Sequence, residues 1–161
     1  MDEYRINKMK ISLINQQNNY HINNKNILNL SKEFGLKIQS EDKDWDEITI
    51  ILTDHKNMIN LNNKYFNKEN TTDVISFTYD PIPGEKQLLS GDIIVNLDMV
   101  IEEGKLRNNV NYELAFYIAH GFDHLSGNND NTPLKRKKMH ARERKWIEQA
   151  AKYDLLDNLI A

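Results

Sequence analysis

Residues 111–130 read NYELAFYIAHGFDHLSGNND, and the architecture follows from this stretch outward. Leu114, Tyr117, Ile118 and Phe122 recur at helical spacing along one side, which predicts a helix from Asn111 to Leu125. The run Gly127-Asn128-Asn129-Asp130-Asn131 breaks it. His120 and His124 are one helical turn apart, so both imidazoles leave the same face and form a ready pair of metal ligands. Gly127 follows three residues after the second histidine, where the helix must stop, and glycine permits the left-handed backbone that such a turn uses. The turn can swing Asp130 back toward the two rings. Three protein ligands with an open position are the arrangement of a catalytic metal rather than a closed structural one. His120, His124 and Asp130 are therefore the expected metal ligands and catalytic centre, with one Zn²⁺ per chain.

Two histidines four residues apart are common by chance; the glycine turn and the carboxylate after it favour the metal reading. The phrase also resembles the zinc-protease pattern H-E-x-x-H-x-x-G-x-x-H/D, but Gly121 stands where a protease keeps its glutamate base. A metalloprotease is accordingly the weakest of the functional readings.

On the N-terminal side, strands are predicted at Lys10–Asn15, Glu47–Leu52, Asp73–Tyr79 and Gly91–Asn96, where β-branched residues cluster or alternate. Asp80–Glu85 holds two prolines and a glycine and must be a loop, and the strands flanking it are expected to pair antiparallel. Helices are predicted over Asn24–Phe34, ended by Gly35, over a stretch capped by Asp54 and carrying Met58, Ile59, Leu61 and Tyr65, and over Asp98–Leu106. Thr132-Pro133 opens a last helix, threonine as cap and proline at its first position. Met139, Trp146, Ile147 and Ala150 lie on one face of it. The expected fold is α+β: a single domain over residues 1–161, with a small mixed sheet of about four strands, five or so helices, and a metal cleft at the histidine-bearing helix.

Composition narrows the classes. The 161 residues are 39% hydrophobic and include no cysteine, which excludes a disulfide framework, a cysteine-ligated zinc finger, an iron–sulfur cluster and a cysteine nucleophile. No apolar run approaches the length that spans a bilayer and no signal-peptide core is evident, so the expectation is a soluble cytoplasmic protein without membrane contact. The net charge of −3 hides an asymmetry. Between Thr132 and Glu148 seven basic residues face two acidic ones, a net +5 that leaves −8 for the rest. Composition alone leaves that stripe as either a polyanion contact or a solvated helix face.

The His120–Asp130 segment is similar to the H-G-x-L-H-L-x-G-Y-D-H signature of the YbeY family of bacterial rRNA maturation factors and metal-dependent endoribonucleases. Leu61-Asn62-Asn63-Lys64-Tyr65-Phe66 and Thr72-Asp73-Val74-Ile75-Ser76-Phe77 resemble its L-N-x-x-Y-R and T-D-V-L-S-F blocks. Ser90–Val95 resembles its G-D-I strand, and Met139 with Glu143 matches the Met and Glu of its closing helix. The likeness runs from about Ile48 to Trp146. It implies a single-strand-specific, zinc-dependent endoribonuclease acting in maturation of the 3′ end of 16S rRNA and in ribosome quality control. Its implied partners are single-stranded RNA, rRNA of the small ribosomal subunit and ribosomal proteins. On this reading Lys135, Arg136, Lys138 and Arg142 attract phosphates, while Asp73 and Ser76, beside the cleft in the family, hold substrate or an outer water, or serve simply as turn and strand residues.

Three departures stand out. Asp130 replaces the third histidine, as in a branch of the family. Phe66 stands where many members have an arginine suited to phosphate. Asp123 replaces a leucine and, projecting about 60° from His120 on a helical wheel, is expected to be exposed. Phe66 keeps open a second reading, an RNA-binding ribosome-assembly factor with a structural metal and little cleavage. His21, His55 and His140 are isolated in sequence and are read as structural or solvated.

Overall fold

A computed structural model describes residues 2–6, 9–39, 44–81 and 88–161. Its elements run β1 (Asp2–Ile6), β2 (Met9–Asn15), α1 (Asn24–Ile38), β3 (Trp45–Thr53), α2 (His55–Phe66), β4 (Val74–Tyr79), β5 (Leu89–Asn96), α3 (Leu97–Leu106), α4 (Val110–Leu125) and α5 (Pro133–Ala151). The four expected strands are present in one mixed sheet of order β1-β2-β3-β5-β4. β1 is an addition, antiparallel to β2; Asp2-Glu3-Tyr4-Arg5-Ile6 has little apolar alternation of its own and pairs as the outer arm of a hairpin. β2, β3 and β5 run parallel, and β4 lies antiparallel to β5 at the open edge. The expected loop Asp80–Glu85 falls mostly outside the described residues.

Strand alternation builds two apolar layers. Ile48, Ile50, Leu52, Ile93 and Val95 point to one side and are sealed by α1 and α4 in the main core. Ile75 and Ile94 point to the other side, against Met58 of α2. α4 is thereby buried nearly all round, with Leu114, Ala115, Ile118, Ala119 and Phe122 fully buried. α5 packs on α4 from outside and carries Ile147 and Ala150 into the same core.

Asparagine does much of the local work. Asn23, Asn96 and Asn109 cap α1, α3 and α4 by accepting backbone N–H bonds from Asn26, Met99 and Tyr112. Asp54 and Thr132 do the same for α2 and α5. Asn67 and Asn108 follow helix ends in the left-handed region at φ 57°, which asparagine tolerates better than most residues. One expected boundary is overturned: α1 continues through Gly35 to Ile38. Phe34 and Ile38 both insert into the core, and that burial outweighs the weak helix preference of glycine.

Gly121 answers a close approach of α4 to the sheet. A Cβ built there would lie 2.3 Å from Ile93 Cγ2. The position that would hold a protease's glutamate thus has room for no side chain. Gly121→Ala is expected to lower unfolding stability by about 1–3 kcal/mol through overpacking, despite the gain alanine normally brings to a helix. A urea denaturation midpoint measures it; an unchanged or raised midpoint would show that α4 moves freely on the sheet.

Candidate metal centre

α4 places His120 and His124 on one face, and the chain leaves it through Gly127 at φ 101°. That turn carries Asp130 back. The Nε2 atoms of His120 and His124 are 3.0 Å apart, and Asp130 Oδ2 lies 3.4 Å from the first and 3.9 Å from the second. Four-coordinate zinc with bonds of 2.0–2.1 Å sets its ligand atoms about 3.3 Å apart, so the three expected ligands converge at the right scale. One ligand atom from each lies within 4.8 Å of the others.

The backs of the rings are held as firmly as the fronts. His124 Nδ1 lies 3.0 Å from the carbonyl of Asn128, which can only accept, so Nδ1 carries the hydrogen and Nε2 presents a lone pair. His120 Nδ1 donates to the carboxylate of Glu143, at 2.9 and 3.1 Å from its two oxygens. Two ring nitrogens then face each other across 3.0 Å, and a proton or a cation must lie between them. The titration directions agree. Burial pushes the His120 imidazole down, but the Glu143 hydrogen bond and charge, with Asp73 and Asp130 beyond, reverse this and hold it above its ordinary value. Burial and then the charge of His120 push His124 down. In the absence of a cation, these directions favour His120 over His124 as the protonated ring.

Glu143 is the residue that matters most among those the candidate ligand set omits. It is fully buried, and burial pushes its carboxyl up to about 7, His120 pulling it down and Asp123 pushing it up. Its signal in the sequence is a lone glutamate on the apolar stripe of α5, four residues from Met139 and from Ile147. His140 is not isolated either: its ring packs edge-on to Phe116 and near His120, at 5.3 and 5.8 Å between centroids. His55 likewise sits in a network, Nδ1 against Thr71 Oγ1 and Asn96 Nδ2 and Nε2 against Glu102.

Asp123 is a correction. It is buried, not exposed, and its Oδ1 accepts from Arg142 Nε at 2.9 Å and from Asn128 Nδ2 at 2.8 Å. The physical reason is that α5 packs over the flank of α4 on which Asp123 projects and brings a cation with it. Arg142 consequently spends its Nε inside the protein. Lys135, Arg136 and Lys138 stay exposed on α5, and Arg136 Nη2 reaches the Asp130 carbonyl at 3.4 Å.

Ser76 donates from Oγ to the carbonyl of Gly121 at 3.0 Å, tying edge strand β4 to the histidine helix. Asp73 accepts from Val74 N–H at 2.7 Å and opens onto a separate cleft with Phe116 and His140. A groove of about 450 Å³ runs from His124 and Asp130 along β4, past Ser76 and Thr78, to Asn62, Phe66 and Lys68.

A family model described as Endoribonuclease YbeY matches residues 10–151. An Endoribonuclease YbeY of Petrotoga mobilis is 30% identical over 146 residues, covering 89% of this chain and 97% of its own. One of Alkaliphilus metalliredigens is 29% identical over 143 residues, covering 84% and 92%. One of Elusimicrobium minutum is 38% identical over 95 residues, covering 58% and 66%. A solution structure from Thermotoga maritima superposes with a TM-score of 0.60 at 21% identity, over 92% of this chain and 94% of that one, which speaks to the fold alone.

Proposed function

This chain belongs to the endoribonuclease YbeY family, and from that premise we propose that it cuts unpaired RNA with a divalent cation, zinc, held by His120, His124 and Asp130. The observation that carries the reading is the pair of imidazole nitrogens turned on one point beside Asp130, at the end of an open groove. A cation bound there would supply Lewis-acid polarisation of a phosphoryl oxygen and acidify water. The chain's own residues do the rest. Glu143 and the Asn128 carbonyl hold each ring with Nδ1 protonated and Nε2 free. Asp130 adds a charge that lowers the net positive charge of the centre. Ser76 fixes the helix against β4, so the groove floor and the ligands move as one piece. Lys135, Arg136 and Lys138, with the remaining guanidinium of Arg142, attract phosphates without reading sequence.

Unpaired RNA suits a groove that follows a sheet edge, because a splayed strand can enter where a duplex cannot. Within that reading the substrate is precursor rRNA of the small ribosomal subunit near its 3′ end, in the cytoplasm, where ribosomal proteins are partners. No described helix is long and apolar enough to cross a membrane.

Elemental analysis joined to a cleavage assay tests this. The purified chain is expected to hold about one zinc, lost in Asp130→Ala, and to cut single-stranded RNA until a chelator is added. RNA bound with a steep salt dependence, yet never cut with zinc present, would leave an RNA-binding assembly factor instead. Cleavage untouched by chelator would overturn the metal reading.

A further inference from the structure

Three aromatic rings meet beside the candidate metal centre: Phe77, packed on the smaller apolar layer, and two exposed rings that lean on it. Phe66 ends α2 and Tyr65 precedes it, 47% and 52% exposed. Phe66 lies parallel to Phe77 of β4, 7° between planes and 6.2 Å between centroids, and Tyr65 meets Phe77 edge-on at 5.0 Å. Isolated exposed apolar residues need no explanation, but a backed, ordered cluster does. Its position is held from below. Asn67 ends α2 in the left-handed region, and the nearly buried Asn62 donates to the Asn70 carbonyl, pinning the chain that leaves the helix. Phe66 lines the same groove as His124 and Asp130, and Lys68 lines it too.

We propose that Phe66, backed by Phe77, is the platform on which an unpaired nucleobase of the RNA substrate stacks next to the phosphate held at the metal centre, with Lys68 contacting the adjoining phosphate. This rests on the endonuclease reading above and gives the groove its substrate contacts. Three features of the groove select a base as the occupant. The groove is continuous with the cleavage centre. A cation accompanies the ring, as a strand with alternating phosphates and flat bases requires. The ring is already braced parallel to a second one, so little side-chain freedom is lost on stacking. A phenylalanine here exchanges the salt-sensitive ionic contact that an arginine would make for a contact that salt leaves alone.

The test uses the full chain and a short unpaired oligoribonucleotide carrying one 2-aminopurine, whose fluorescence is quenched on stacking. Phe66→Ala and Phe66→Leu are expected to weaken binding by about tenfold to a hundredfold and remove the quench, with the salt slope unchanged. Phe66→Trp should restore both. Lys68→Gln should instead shallow the salt slope by about 0.7, the value for one phosphate on a single strand, and keep the quench. An abasic nucleotide in place of the stacked base should erase the difference between wild type and Phe66→Ala. If the wild type binds and cuts RNA while the Phe66 variants bind equally well, the platform is wrong and the endonuclease reading stands. If Phe66→Ala instead dissolves a dimer in sedimentation without changing RNA affinity, the patch is a protein interface and the platform is equally wrong. If the wild type neither binds nor cuts RNA, both fall.

Discussion

His124→Ala is expected to cut metal-dependent RNA cleavage by about a thousandfold or more while leaving the protein folded. A bound catalytic metal typically stabilises developing charge by several kcal/mol, and each 1.36 kcal/mol is a factor of ten in rate. His124 is the candidate ligand best suited to this test because its side chain is 27% exposed and, among the described residues, bonds to the turn that follows α4 and to the other candidate ligands. His120 is buried, so its removal would open a cavity and strand Glu143 as well. Zinc content, circular dichroism and single-turnover cleavage should be read on the same sample. Wild-type cleavage from a variant that has lost its zinc would place the chemistry elsewhere.

The second large effect belongs to Glu143. Glu143→Gln keeps an oxygen to accept from His120 Nδ1 but removes the charge, and Glu143→Ala removes both. Loss of a partner behind a metal-ligating histidine typically costs 10- to 100-fold in affinity, so about tenfold is expected for glutamine and about a hundredfold for alanine. The pH dependence separates this role from simple packing. A metal needs His120 Nε2 unprotonated, and His120 in the metal-free chain is held above its ordinary 6.5 by Glu143. Wild-type affinity should therefore rise with pH through that raised value and then level. In Glu143→Gln the levelling point should move to lower pH while the plateau drops, because the charge that favoured imidazolium is gone. Zinc-competition titrations across pH 5–9 would show it; a plateau that drops with no shift of the levelling point would assign Glu143 a packing role only. The sign for the metal-free fold is the same for both partners. His120 and Glu143 are both raised, Glu143 from 4.5 to about 7, so the native state holds more protons than the unfolded chain and loses stability as the pH rises through those values.

What could be read ahead of the structure was local. His120, His124, Gly127 and Asp130 lie within one helix turn and the bend after it, so spacing alone brings them close. Thr132 and Pro133 announce α5 in the same way. What could not be read comes from distant pairings. Glu143 reaches His120 from 23 residues away, and only the docking of α5 on α4 makes a glutamate among arginines into a buried acceptor. Asp123 was misjudged for the same cause, since its partner Arg142 arrives on α5. β1 owes its form to β2 rather than to its own pattern, and α1 overruns Gly35 because Phe34 before it and Ile38 one turn later are both buried.

The reach from α4 to α5 sets an order of events during synthesis. Chains emerge N-terminus first and fold as their contacts become available. The five strands and α2 with its aromatic cluster all end by Asn96, well ahead of Glu143. His120 and His124, by contrast, lie close to Glu143 in the chain and emerge nearly together with their partners on α5. On the proposed function, a nascent chain would thus present its sheet and aromatic patch before the candidate centre exists, and competence to cut would arrive last, as α5 docks on α4.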